Sequence, residues 1–310
     1  MLSALYRIFT IIINVELIIG ILANGFITVV NCFDWVKMRK ISLADRILTA
    51  LAISRICMML VMMVSCLSDF RPFSYMSAKT IMLINVAAAM ANHFSMWMAM
   101  ILSLFYFLKI ANYSNPIFLH LKYRVEMVVK ALLLGNLAFL IVNFIILGIY
   151  VDSQLHLLKK NLTSSYERNI IEKLPKLMTF TVGSFIPFSV SLNSFLLLIF
   201  SLRKHLKNMK VNRTGLRDPS VKAHIRAMKS VVAFLLLFAI YFLNILITTF
   251  PSEAMKNRFV PLLCQTIANV YPTVHSLLLI LENSKLRKIS LSKNIKEFLH
   301  GIIPFFSVLL

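Results

Sequence analysis

The side chains with chemical potential are few and stand apart: Glu16, Asn24, Arg55, Asn92, His93, His275, Ser276 and Glu282, each embedded in a long apolar stretch or at its end. Their types suit hydrogen bonding and charge placement; their spacing does not suit catalysis. There is no Gly-rich phosphate loop, no Gly-x-Ser-x-Gly elbow and no His-Glu-x-x-His helix. His93 has no second ligand three or four residues away, so a hydrogen-bonding role is expected rather than a metal site. Paired acids within one apolar stretch, which a proton-coupled transporter would need, are missing as well. No enzymatic activity, metal or cofactor is expected.

The elements that must position these groups are seven apolar stretches, near 8–32, 47–68, 81–108, 126–149, 179–202, 228–250 and 262–283. About 20 apolar residues rising 1.5 Å each match a hydrocarbon core of roughly 30 Å. The bilayer centre offers the backbone no water, so segments that cross it must be helical. Composition agrees: 59% of the 310 residues are hydrophobic and 15% charged, where a soluble domain carries about 25% charged residues. The expected fold is an all-α seven-transmembrane bundle over residues 1–283, followed by a short basic tail, 284–310. The first stretch outruns the roughly 7–15 residues of a signal-peptide core and lacks a small-residue cleavage site, so it is read as a retained helix.

The net charge of +21 is distributed unevenly. Loops on one side of the expected membrane, with the tail, hold 21 Lys and Arg; the N-terminus and the other three loops hold 10. Positive residues concentrate inside, which puts the N-terminus outside and the tail in the cytoplasm. The basic faces are expected to meet anionic lipid and an acidic protein partner, not nucleic acid. With this topology only Asn161, of three Asn-x-Ser/Thr sequons, faces the lumen as a glycosylation acceptor. None of the four cysteines (Cys32, Cys57, Cys66, Cys264) lies in the loop 150–178; packing residues are the expected role, and pairing of Cys66 with Cys264 stays open. From Lys285 to Leu299, basic residues alternate with Leu286, Ile289, Ile295, Phe298 and Leu299, the pattern of an amphipathic helix on a membrane surface. Pro187 and Pro272 fall within stretches, where each removes a backbone hydrogen bond and favours a kink.

Arg55 is the most demanding of the buried candidates, because a guanidinium in mid-membrane costs about 2.5–3.5 kcal/mol on insertion scales. Asn24, His275 and Ser276 lie at comparable depth, and a polar lock joining the first, second and seventh helices is expected. The alternative is an Arg55 side chain stretched to the interface along its own stem. Asn92 and His93 are neighbours about 100° apart on a helix, so only one of them can face the bundle centre.

Seven runs, in order and at matching spacing, carry a family resemblance. They are Asn24-Gly25-Phe26-Ile27 leading to Asp34-Trp35-Val36-Lys37; Leu51-Ala52-Ile53-Ser54-Arg55-Ile56; Asn92-His93-Phe94-Ser95-Met96-Trp97; and the run from Phe105 through Lys109 to Ser114. Leu198-Ile199-Phe200-Ser201-Leu202 with His205, His224-Ile225-Arg226-Ala227-Met228-Lys229, and His275-Ser276-Leu277-Leu278 with Asn283-Ser284-Lys285-Leu286 complete them. The chain resembles the type 2 (bitter) taste receptors, a G-protein-coupled family. Rhodopsin-like signatures are replaced: Phe105-Tyr106-Phe107 stands where Asp-Arg-Tyr is usual, and Arg55 stands at the usual sodium-site Asp.

The resemblance implies an agonist pocket for bitter small molecules in the outer half of the bundle, lined by Ala88, Ala89, Asn92, Tyr241, Gln265 and Ala268. It also implies coupling to a heterotrimeric G protein of the gustducin/inhibitory class through a face holding Tyr106, Lys109, Ser201, Leu202, His205, His224 and Lys229. The implied location is the plasma membrane of chemosensory cells. Many members carry Trp at the position of Ala88, and some an acid at that of Gln265, which points this chain toward neutral or weakly charged apolar agonists. A vomeronasal type 1 pheromone receptor is the alternative within the same architecture, and a small transporter or channel the alternative of another class. Oligomeric state is left open.

Overall fold

A computed structural model describes residues 2–38, 41–70, 78–160, 181–211, 219–249 and 259–291. Seven long helices account for most of them: the first Leu2–Met38, second Leu43–Phe70, third Ala78–Ile110, fourth Val125–Lys160, fifth Ile186–Val211, sixth Pro219–Thr249 and seventh Phe259–Glu282. Two short helices join them at the end where the third and seventh helices finish, Pro116–Tyr123 and Ser284–Ser290. Among the described residues there is no strand.

Each long helix, the fifth together with the helical turn just before it, supplies a segment apolar and long enough to cross a membrane: Arg7–Lys37, Leu43–Val64, Val86–Ile110, Val125–Ile146, Gly183–Lys207, Ile225–Thr249 and Phe259–Glu282. The boundaries differ from the sequence expectation by a few residues at most ends, because hydropathy marks the apolar middle of a helix and capping marks its ends. Ser42 illustrates this. Its hydroxyl accepts the backbone N–H of Asp45 at 3.1 Å and donates to the Asp45 carboxylate at 2.8 Å, so the second helix starts before its apolar run does. The protein is a multi-pass, all-α membrane protein.

The first helix packs on the second and seventh, the third on the second, fourth and fifth, and the sixth between the fifth and seventh. The third helix is the hub and the most buried of the seven; the fourth lies on the outside and is the least buried. Gly20 permits the close approach of three helices: a Cβ there would stand 2.4 Å from Met59 Cε and 2.6 Å from Thr273 Oγ1.

Pro187 follows a π-helical turn at Thr181–Phe185 and is the second residue of the fifth helix. Its missing N–H is tolerated where the helix changes its hydrogen-bond register. Pro272 stays inside the seventh helix. The tail differs from expectation in one respect. Leu286, assigned above to a lipid-facing stripe, is fully buried and belongs to the main apolar core. Asn283 explains this by breaking the seventh helix: its Oδ1 caps Lys285 N at 3.0 Å and Leu286 N at 3.3 Å, turning the next helix back onto the bundle. Residues 292–310 of the tail lie outside the described residues.

Candidate ligand and signalling sites

The seventh helix presents one stripe to the bundle interior. Asn269, Tyr271, Pro272, Thr273, His275 and Ser276 are all buried. Arg55 reaches this stripe from the second helix and is 0% exposed. Its Nη1 donates to Ser276 Oγ at 2.9 Å, His275 Nδ1 at 3.1 Å and the Pro272 carbonyl at 3.4 Å. Arginine only donates, so His275 must accept at Nδ1 and hold its own proton at Nε2, as a neutral ring. Ser276 passes the network on to the first helix, donating to Asn24 Oδ1 at 2.8 Å, while Asn24 Nδ2 donates to the Gly20 carbonyl at 2.7 Å. Arg55, Asn24, His275 and Ser276 therefore form one connected set. The stretched-out alternative for Arg55 does not occur. The guanidinium also lies 5.3 Å from the Tyr271 ring centroid, a cation–π contact in the absence of a carboxylate partner among the described residues.

Tyr271 continues the chain of contacts. Its ring stacks on Tyr241 of the sixth helix at 4.6 Å and 22°, and on Phe238 at 5.4 Å and 30°. The Tyr241 hydroxyl donates to Asn92 Oδ1 on the third helix. Met96, Phe238, Tyr241 and Tyr271 form an apolar cluster against which Phe188 and Ala268 pack. Of the six candidate pocket residues, Asn92, Tyr241 and Ala268 are thus brought together directly. Ala88 and Ala89 are half-buried, one turn from Asn92 on its side of the third helix. Gln265 is half-buried and one turn from Ala268. His93 takes the other side of the third helix: it is buried, with its ring 5.9 Å from Trp97, which in turn meets Phe139 of the fourth helix at 5.6 Å. Asn92 therefore faces the centre and His93 the fourth helix.

The opposite, basic end holds two further constellations. Lys285 Nζ donates to Asn31 Oδ1 at 2.8 Å and pairs with Asp34 at 3.0 Å and Asp45 at 3.4 Å, tying the terminal helix to the first and second. Between the third and fourth helices, Phe107, Tyr113 and Phe118 pack ring against ring at 5.3–6.2 Å. The Tyr113 hydroxyl donates to the Leu197 carbonyl at 2.6 Å, and Lys122 Nζ to the Ala111 carbonyl at 2.7 Å. Burial raises the Tyr113 phenol above its ordinary range, so it stays protonated and able to donate.

The candidate G-protein face is distributed around this end. Ser201 and Leu202 are buried, and Ser201 Oγ accepts the Asn112 N–H at 3.0 Å. Tyr106 is half-buried, with its ring 5.7 Å from Phe105, while Lys109, His205 and Lys229 are exposed. The His224 side chain and Asn161 lie outside the described residues. Cys32, Cys57 and Cys264 are free thiols, and the Cys66 side chain lies outside the described residues.

A family model described as taste receptor protein (TAS2R) matches residues 1–296. The chain belongs to the taste receptor type 2 family. It is 45% identical over 292 residues to taste receptor type 2 member 13 of Papio hamadryas, an alignment covering 93% of this chain and 96% of that one. It is 47% identical over 290 residues to taste receptor type 2 member 14 of Gorilla gorilla gorilla, covering 92% and 90% respectively. The human member 14 aligns at 46% over 288 residues, covering 92% and 90%. The vomeronasal and the transporter or channel alternatives fall away, and membership of this receptor family agrees with the expectation that the chain is not an enzyme. The chain is a G-protein-coupled taste receptor, with small-molecule ligands and G-protein coupling as its general business.

Several contributors had no signal of their own in the sequence. Tyr271 is four residues before His275 and three after Ala268, so helical spacing puts it on the interior stripe once those positions are chosen. Asn31, Asp34, Asp45 and Lys285 are polar residues near helix ends, a place where charged side chains are commonplace. Only the packing of the first, second and terminal helices reveals them as one cluster.

Proposed function

We propose that this receptor binds bitter small molecules in the outer half of the bundle, with its N-terminus outside the cell and its basic end in the cytoplasm. Ala88, Ala89, Asn92, Tyr241, Gln265 and Ala268 line the pocket, and an aromatic floor of Phe238, Tyr241 and Tyr271 supports the ligand. The observation that carries this reading is the unbroken contact path from Asn92 through Tyr241 and Tyr271 to Arg55. A ligand that engages Asn92 or Tyr241 acts on groups mechanically continuous with three other helices. Agonism follows if it binds more tightly to the arrangement that opens the basic end.

The same reading assigns Tyr106, Lys109, Ser201, Leu202, His205, His224 and Lys229 to a docking face for a heterotrimeric G protein of the gustducin/inhibitory class. The 21 basic residues assigned to that side complement an acidic partner surface and speed its encounter. The receptor acts in the plasma membrane of chemosensory cells and carries a glycan at Asn161. The pocket residues are neutral, so apolar, weakly charged agonists fit best.

The test is calcium release in cells expressing the receptor with a promiscuous G-protein α subunit, against a panel of bitter compounds. Responses should disappear in Asn92→Ala and Tyr241→Ala with surface expression intact. Gln265→Glu should improve responses to amine-bearing agonists; an unchanged series would remove Gln265 from the pocket. An N-terminal epitope tag shielded from antibody in intact cells would reverse the orientation.

A further inference from the structure

At the basic end, a cavity of about 720 Å³ opens between the end of the third helix, the short helix Pro116–Tyr123 and the end of the fifth helix. Its lining includes Lys122, Lys204 and His205 together with Asn112, Ser114 and Ser201, and among the described residues it contains no acidic side chain. No described side chain of the sixth or seventh helix contributes to it. It therefore opens on the flank of the bundle rather than into its central mouth.

The surroundings of the cavity are apolar and turned outward. On the fifth helix, Leu197 and Phe200 are exposed one turn further from the basic end than Ser201 and Lys204. Across the cavity the lining residue Ile110 is exposed, and on the short helix that carries Lys122 so are Ile117, at 72%, and Tyr123, at 83%. A cationic pocket at the membrane boundary beneath an apolar strip matches an amphiphile: an anionic head in the cavity and chains along Leu197 and Phe200. Basic pockets beside membrane helices on the cytoplasmic side are suited to phosphorylated headgroups. The cavity wall is also held in place: Tyr113 is bonded to the Leu197 carbonyl, Lys122 to the Ala111 carbonyl, and Ser201 to the Asn112 N–H. Lys122 keeps two of its three ammonium hydrogens for an anion.

We propose that this cavity is a site for an inner-leaflet phospholipid whose headgroup carries phosphate monoesters, held by Lys122, Lys204 and His205. The assignment of leaflet rests on the orientation proposed above; the binding chemistry does not. Ser201 and His205 also belong to the proposed G-protein face, so a bound headgroup would add negative charge beside the docking partner and tune its encounter with the receptor.

The shared chemistry of lipid and soluble phosphate esters sets the arms of the test. Purified receptor is placed in phosphatidylcholine nanodiscs doped with phosphatidylinositol bisphosphate, and retained lipid is counted by native mass spectrometry, without agonist or G protein. Lys122→Gln/Lys204→Gln should weaken retention about 30-fold, the combined effect of two lysines near a membrane surface. Lys204→Gln alone should weaken it several-fold, and serves if the double variant does not fold. Lys288→Gln, an equal charge change on the terminal helix, should leave retention unchanged. Equal loss in Lys288→Gln, or no loss in either cavity variant, overturns the site. Soluble inositol trisphosphate binding as tightly as the lipid overturns the lipid assignment in favour of a free phosphate ester. Because neither agonist nor G protein is present, failure here is separate from failure of the pocket or of coupling.

Discussion

Arg55 and Lys285 do the same mechanical job at two depths. Each is a cation that ties the first and second helices to the C-terminal part of the chain, Lys285 directly and Arg55, from the second helix, through Ser276 to Asn24. Arg55 is 0% exposed and its hydrogen-bonding partners are neutral: Ser276, His275 and a backbone carbonyl. Lys285 is 31% exposed on its side chain and meets two carboxylates, Asp34 at 34% and Asp45 at 18%. The difference teaches where charge can be compensated. At the membrane boundary water and salt screen an ion pair, so it contributes little. In mid-membrane the guanidinium is served by dipoles and a ring face, and each contact counts for more.

The comparison can be broken most directly at Arg55. Arg55→Met removes three hydrogen bonds that involve a charged donor, and a loss of about 2–4 kcal/mol is expected. It should appear as a large drop in the thermal unfolding midpoint of purified receptor. Arg55→Lys should recover only part of it, because a single ammonium cannot reproduce the spread of the guanidinium. A midpoint that does not move in Arg55→Met would mean that the buried bonds only offset the cost of burial, as buried charges can.

Gly20→Ala comes next in size. Met59 can swing away, but Thr273 Oγ1 is bonded to the Glu16 carbonyl at 3.3 Å and restricts the relief. Overpacking of about 1–3 kcal/mol is expected, together with misalignment of Asn24 against Ser276. Surface expression alongside thermal unfolding reads both consequences.

Tyr241→Phe should have a smaller and more selective effect. It keeps the stack on Tyr271 but removes the bond to Asn92, at about 1 kcal/mol. Agonist potency should therefore shift severalfold, with little change in the unfolding midpoint. A midpoint shift as large as that of Arg55→Met would make Tyr241 a structural residue.

Lys285→Gln should be mildest. The pair is about one-third exposed and worth roughly 1 kcal/mol or less. The difference from the unmodified receptor should shrink as salt rises. Persistence at high salt would show that Lys285 acts through its hydrogen bond to Asn31, and a Lys285/Asp34 double-mutant cycle measures the ionic part.

Legibility followed the physics of each feature. Membrane spans are visible because lipid imposes length and apolarity on every one of them, as Val125–Ile146 illustrates. Arg55 was conspicuous because a charge in such a stretch is rare. The choice between Asn92 and His93 was not legible: both are polar, and their 100° separation becomes meaningful only once the fourth helix is known to lie beside Trp97 and the sixth to offer Tyr241. The lipid-facing role expected of Leu286 failed because one capping residue, Asn283, redirected the chain after Glu282.

The sequence by itself determined the number of membrane-crossing helices, their membrane setting and the family, since hydropathy and motif order are properties of the linear chain. Tertiary structure decided which polar groups meet. Asn24, Arg55 and Ser276 lie hundreds of positions apart at the extremes, and a hydrogen bond requires atoms within about 3 Å. Only helices packed as closely as the contact at Gly20 allows can satisfy that requirement.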